Sequence, residues 1–155
     1  MNIFYLDHDI QKCVQYTNNR HVVKMILESF QLLSSAHHIC GQSDSPFLYR
    51  KTHANHPAAV WTRDSLENYL WLVDYTKELC REYEFRYGRT HKSAARLPFF
   101  IQNVPKIDSK GLTKRPLCMP DDCKVEDPVE SYRKYYRKEK GHLAQWKGRQ
   151  IPDWW

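Results

Sequence analysis

The chain has no apolar run approaching the roughly 20 residues that cross a membrane. Its opening, MNIFYLDHD, meets acidic residues before a signal peptide's apolar core could form. A soluble, cytoplasmic protein with no membrane partner is expected. Cysteine is sparse and odd in number, at positions 13, 40, 80, 118 and 123, and shows no C-x-x-C spacing. At 155 residues the chain can bury a core without staples, so this pattern argues against a disulfide frame and for a reducing compartment. Metal signatures are also missing. HANH at 53–56, His37, His38, Asp7 and Asp9 supply donors, but there is no HExxH and no paired Cys–His spacing. Adjacent His37 and His38 cannot point the same way on a helix, and no metal or other cofactor is expected. Period-2 segments are almost absent, as are repeats and low-complexity tracts. The expectation is therefore one compact all-α domain over residues 1–155, a short N-terminal arm at one end and a long irregular loop region within it.

Acid is also in short supply. The chain carries 18 Asp and Glu against 24 Lys and Arg, for a net charge of +6 and a pI near 9.1. Such a balance favours a polyanionic partner, nucleic acid first among them.

What is present is helical periodicity. Asp7 or Asp9 can cap a first helix reaching about Thr17, because a carboxylate there accepts free backbone N–H groups. From about Asn19 to His38, Val22, Val23, Ile26, Phe30 and Leu33 recur at helical spacing, with Leu27 and Leu32 widening the arc. Residues 41–57, GQSDSPFLYRKTHANHP, form a polar loop of functional length. Pro57 suits a first helical turn, and the segment after it predicts one helix of about 30 residues that stops at Gly88. The stretch from Arg89 to Asp127, punctuated by Pro98, Pro105, Pro116 and Pro120, predicts irregular cover with a short turn near 93–101. Asp127-Pro128 predicts a last helix that ends near Gly148 and leads into IPDWW.

Two constellations bear on function. Arg133, Arg137 and Lys140 interleave with Tyr136 and Trp146 in the last helix and tail, as a surface would that neutralises phosphates and stacks on bases. Tyr132, Tyr136 and Leu143 also share a helical stripe, so the same aromatics can equally be core. Arg63 belongs to the helix after Pro57, while Arg86, His91 and Lys92 sit where a helix gives way to a loop, a usual place for anion contacts; with His53 and His56 they complete the candidate nucleic-acid residues. The second constellation is a stripe on the 19–38 helix. His21 and Glu28 lie two turns apart with Lys24 between them. A Glu on an otherwise apolar face is either paired, Lys24 being the nearest cation, or engaged in chemistry.

His21 and Glu28 in RHVVKMILE, with HANHPAAVW…LCREYEFRYG and YRKYY…IPDWW after them, resemble the pyrimidine-dimer DNA glycosylases of the endonuclease V family, in a divergent form of phage and algal-virus type. The resemblance implies a small, basic, all-α protein acting on double-stranded DNA as a monomer. It also implies that the N-terminal amine is the nucleophile, attacking the sugar C1′ to form an imine in a combined glycosylase and lyase reaction. An α-amino group ordinarily titrates near 7.7–8.0, so much of it is neutral at physiological pH. On this reading Glu28 stabilises the cationic sugar and moves protons, His21 orients or binds phosphate, and Lys24 lies beside them. Asn2 is poorly suited to methionine removal, so the amine of Met1 is the expected nucleophile. The family's further Glu, four residues after its His, is Met25 here. Apart from the resemblance, the residues also suit a non-catalytic nucleic-acid-binding protein, or a nucleotide enzyme using His21, His53, His56 and Glu28.

Overall fold

A computed structural model describes residues 1–41 and 44–155; Gln42 and Ser43, part of the expected polar loop, lie outside the described residues. The described residues hold helices and turns and no strand. The fold is all-α. MNIFYL is an extended arm whose Ile3, Phe4, Tyr5 and Leu6 are all buried. Asp9 then caps α1 (Ile10–Gln15) by accepting from the Lys12 N–H, and Asn18 caps α2 (Asn19–Ile39) by accepting from the His21 N–H. Most of the apolar arc of α2 is buried, with Val22, Ile26, Phe30, Leu32 and Leu33 each at 0 % exposure, but Val23 and Leu27, expected in the same arc, lie at its edge and are exposed.

The helix expected over 57–87 is two helices, α3 (Pro57–Asp64) and α4 (Leu66–Tyr87). Ser65 breaks the run in an extended conformation, and its cause is a distant loop. The Ser65 hydroxyl donates to the Gly111 carbonyl at 2.7 Å, Leu66 N–H donates to the Asp108 carbonyl at 3.0 Å, and Asn68 Oδ1 accepts from Thr113 N–H at 2.9 Å. The Leu66 bond replaces a helical one, the two side-chain bonds hold the loop against the junction, and Ser65 Oγ accepts from Glu67 N–H as the cap of α4. Gly88 ends α4 at φ +63°, a left-handed conformation that glycine adopts without a Cβ clash.

After a 3-10 turn at Lys92–Arg96 come α5 (Leu97–Gln102), irregular cover, and α6 (Pro128–Glu139), capped by Asp127. α6 ends well before Gly148. The chain leaves the helix because its tail has partners elsewhere: Trp146 is 8 % exposed and donates its indole N–H to the Tyr16 carbonyl at 2.8 Å, while Asn19 N–H donates to the Gln145 carbonyl at 2.9 Å. α2 packs against α3 and α4, and α6 closes the core with Tyr132 and Tyr136, both fully buried against the ring of Phe4. No helix among the described residues is long and apolar enough to cross a membrane.

Candidate active site

The first turns of α2, the N-terminal arm and the residue before α3 meet around a cavity of about 240 Å³. Its lining includes Met1, His21, Lys24, Glu28, His56 and Lys140. Glu28 is the centre of its polar contacts. Its Oε2 accepts from the Asn2 backbone N–H at 3.0 Å and lies 3.7 Å from the Met1 amine, while its Oε1 lies 3.3 Å from Lys24 Nζ. Glu28 is 8 % exposed, so its charge is met by these donors rather than by bulk water.

His21, 7 % exposed, is fixed from three sides. Its ring stacks on Phe4 at 4.3 Å and 9° between planes, and Nδ1 receives Tyr136 Oη at 2.6 Å and Asn18 Nδ2 at 3.2 Å. Two donors at Nδ1 assign the ring proton to Nε2. Burial, reinforced by Lys140, Lys24 and His142, lowers the His21 pKa to about 4, so at neutral pH the ring is an uncharged N–H donor.

The arm that carries the amine is tied down by Asn2. Its Nδ2 donates to the Cys118 carbonyl at 3.0 Å, and its Oδ1 accepts from Ile3 N–H at 2.8 Å and from the Tyr132 hydroxyl at 3.0 Å. With Asn2, the residues Phe4, Met25, Tyr135 and Cys118 complete the lining, and neither Phe4 nor Cys118 was a candidate site residue in the sequence. Phe4 gave only the signal of an apolar arm, and Cys118 lies in a stretch without periodicity. Lys140 sits over the Tyr135 ring at 5.0 Å, placing a cation at the rim. Among the described residues no group of three or more His, Cys, Asp or Glu side chains could hold a metal ion.

A family model for pyrimidine dimer DNA glycosylases matches residues 1–95, more than half of the chain. The chain belongs to that family. The matched part of this pyrimidine dimer DNA glycosylase family member contains Met1, Asn2, His21, Lys24, Glu28, His53 and His56, and so most of the cavity. No curated protein and no solved structure matches the chain.

The other candidate residues divide by burial and partner. Arg86, Tyr136 and Trp146 were expected to contact nucleic acid, and the structure corrects all three. Arg86 is 3 % exposed and donates to Glu82 Oε1 at 2.7 Å, Asn19 Oδ1 at 3.1 Å and the Gln15 carbonyl at 2.9 Å, leaving no face for a phosphate. Tyr136 is buried against His21, and Trp146 is buried against Tyr16. Arg133 is held by Asp7, Glu130 and the Leu6 carbonyl, and Arg137 by the Trp154 carbonyl. Arg63 donates to the Ala54 carbonyl at 2.7 Å. His53 is exposed beside the cavity rather than in it, with φ +48°. His91 and Lys92 line a separate surface groove beside Lys77 and Arg81, where His91 Nδ1 accepts from Ser93 N–H.

Proposed function

We propose that the protein excises pyrimidine dimers from double-stranded DNA by glycosylase and lyase steps that share an imine on its N-terminal amine. The observation that carries this reading is the amine 3.7 Å from a buried carboxylate inside one cavity. The neutral amine attacks C1′, and the bond from C1′ to the pyrimidine breaks with its electron pair leaving on the base. Glu28 takes the proton that the alkylated amine sheds. It returns that proton to O4′ as the sugar ring opens, and the nitrogen lone pair completes the C1′–N double bond. The base anion takes its proton from water. Glu28 also stabilises the positive charge that grows on the sugar, a role that depends on its being fixed before the reaction begins.

Lys24 and Lys140 flank His21 at the cavity, so phosphate approaches from that side and His21 Nε2–H orients it. The target nucleotide is brought to the amine by bending the duplex and displacing a base. All the groups in this scheme come from one chain, so a monomer suffices.

Glu28→Gln tests the reading directly. Glutamine keeps the size and an acceptor for Asn2 N–H but cannot accept the proton or balance the cation. Excision should fall by about 100-fold or more. The pair with Lys24, whose side chain is 64 % exposed, contributes only about 0.3–0.5 kcal/mol, and loss of the carboxylate beside the buried Met1 amine adds to that cost, so melting temperature is measured alongside turnover. Borohydride should trap the parent on dimer-containing duplex, and the variant should bind that duplex without being trapped. A variant that excises at the parent rate ends this reading, and one that loses activity only because it melts early returns Glu28 to a structural role.

A further inference from the structure

The cavity holds a second imidazole, and the geometry points to a role for it that differs from that of His21. We infer that His56 is a catalytic residue whose Nε2–H hydrogen-bonds the leaving pyrimidine as negative charge develops on it. The inference rests on the proposed amine chemistry.

His56 is the N-cap of α3. Its Nδ1 accepts from Ala58 N–H at 3.2 Å, which assigns the ring proton to Nε2 and leaves that nitrogen as the donor available to the cavity. The segment before it is fastened at several points. Ser34 Oγ accepts from Tyr49 N–H at 3.0 Å, His38 Nε2 lies 2.9 Å from the Tyr49 carbonyl, and Ser35 Oγ donates to the Thr52 carbonyl at 2.9 Å. The turn is then closed by His56 N–H donating to the His53 carbonyl at 2.9 Å, with His53 at φ +48°, while Arg63 holds the Ala54 carbonyl. A non-glycine residue with positive φ persists where its surroundings demand it. Here the demand is a turn that brings His56 back to the α2 face bearing Glu28.

The charges around the two imidazoles separate their roles. His21 has Lys140, Lys24 and His142 as its charged neighbours, the setting for a phosphate. For His56, burial lowers the pKa first, and the N-terminal amine and His53 lower it further while Glu28 opposes them. Its charged neighbours are thus largely those of the reaction centre. An uncharged imidazole keeps its ring proton and stabilises an oxygen where charge develops by donating a hydrogen bond, with no net proton transfer. The breaking bond sends its electrons into the pyrimidine, whose carbonyl oxygens are the acceptors that strengthen.

Two substitutions separate the helix cap from the donor. His56→Asn keeps a good N-cap but is too short to place a donor at Nε2, whereas His56→Gln places an amide N–H near Nε2 and is a poor cap. His56→Asn should retain the parent melting temperature and excise dimers about 100-fold more slowly. It should still be trapped by borohydride on duplex with a ready-made abasic site, where no base has to leave, at the parent rate. His56→Gln should melt earlier yet recover much of the excision rate. If His56→Asn excises dimers at the parent rate, or is slowed equally on abasic duplex, the assignment to the leaving base is wrong. If His56→Gln is the slower of the two on dimers, the residue acts only as a cap. If the parent itself forms no trapped complex on either duplex, the amine reading fails and this inference falls with it.

Discussion

Acidification should destabilise the protein through His21, by an amount that follows from its surroundings. The ring is 7 % exposed, stacked on Phe4, and accepts at Nδ1 from Tyr136 and Asn18, so the folded chain binds its neutral form. Its pKa falls from 6.5 to about 4, chiefly because burial penalises the cation. In the unfolded chain the ring takes up a proton as pH drops through 6.5, while the folded chain resists until about 4. The unfolded state therefore binds more protons in that window, and stability present above pH 6.5 is lost progressively toward pH 4. At ~1.36 kcal/mol per pH unit of difference, the loss between pH 7 and pH 5 is about 2 kcal/mol, or roughly 4–8 °C in melting temperature for a chain of this size. Thermal melts of the parent and of His21→Asn across that range measure it. Asparagine keeps an acceptor near the position of Nδ1 and cannot titrate. His21→Asn should be less stable at pH 7, having lost the stack on Phe4, but should show a pH dependence shallower by about 2 kcal/mol. His56 and His91, whose pKa values burial also lowers, are present in both proteins and cancel in the difference. Parallel curves for the two proteins would refute the claim that burial holds His21 neutral.

Three further outcomes follow from where the cations lie. Lys24→Ala and Lys140→Ala should each reduce the slope of log affinity against log salt by about 1, as measured by titrating duplex DNA across salt concentrations. Arg133→Ala should leave that slope alone, because its guanidinium is already committed to Asp7 and Glu130. Arg86→Ala should cost about 1–3 kcal/mol in urea unfolding, because it removes the buried donor shared by Glu82, Asn19 and the Gln15 carbonyl while Glu82 keeps its pair with Arg149, and the affinity of the folded fraction for DNA stays at the parent value.

The features legible in the sequence were local ones. Asp9 and Asp127 cap helices because a short acceptor stands just before a helical run, and Gly88 stops one because its backbone can turn left-handed. His21 and Glu28 could be set on one stripe from spacing alone. The break at Ser65 could not, since it depends on a loop about 45 residues further on whose carbonyls and amides compete for the helix junction. The same holds for Arg86 and Trp146, whose position by charge or aromatic pattern suggested a surface. Their partners Gln15, Asn19 and Tyr16 lie at the other end of the chain, and only the fold shows them facing inward. His56 was legible as a candidate for nucleic acid, but its place beside Glu28 depends on contacts from Ser34, Ser35 and His38 to Tyr49 and Thr52, which no periodicity announces.

A chain terminus is ordinarily a poor place for a nucleophile, because its first residues fray and a frayed amine has no fixed relation to a base. On the mechanism proposed above, the residues that follow the amine meet that difficulty. Ile3, Phe4, Tyr5 and Leu6 are at most 4 % exposed, and burying such a run ties the arm to the core by a hydrophobic contribution of several kcal/mol. Burial alone would fix the arm's path but not the orientation of its end. Asn2 supplies that orientation, holding the Cys118 carbonyl, the Ile3 N–H and the Tyr132 hydroxyl with its side chain while its backbone N–H donates to Glu28. A smaller residue at this position could make the last of these bonds and none of the others. The Asn2 side chain thus holds the Met1 amine near Glu28, and fixing that pair in advance is what the reaction proposed above requires.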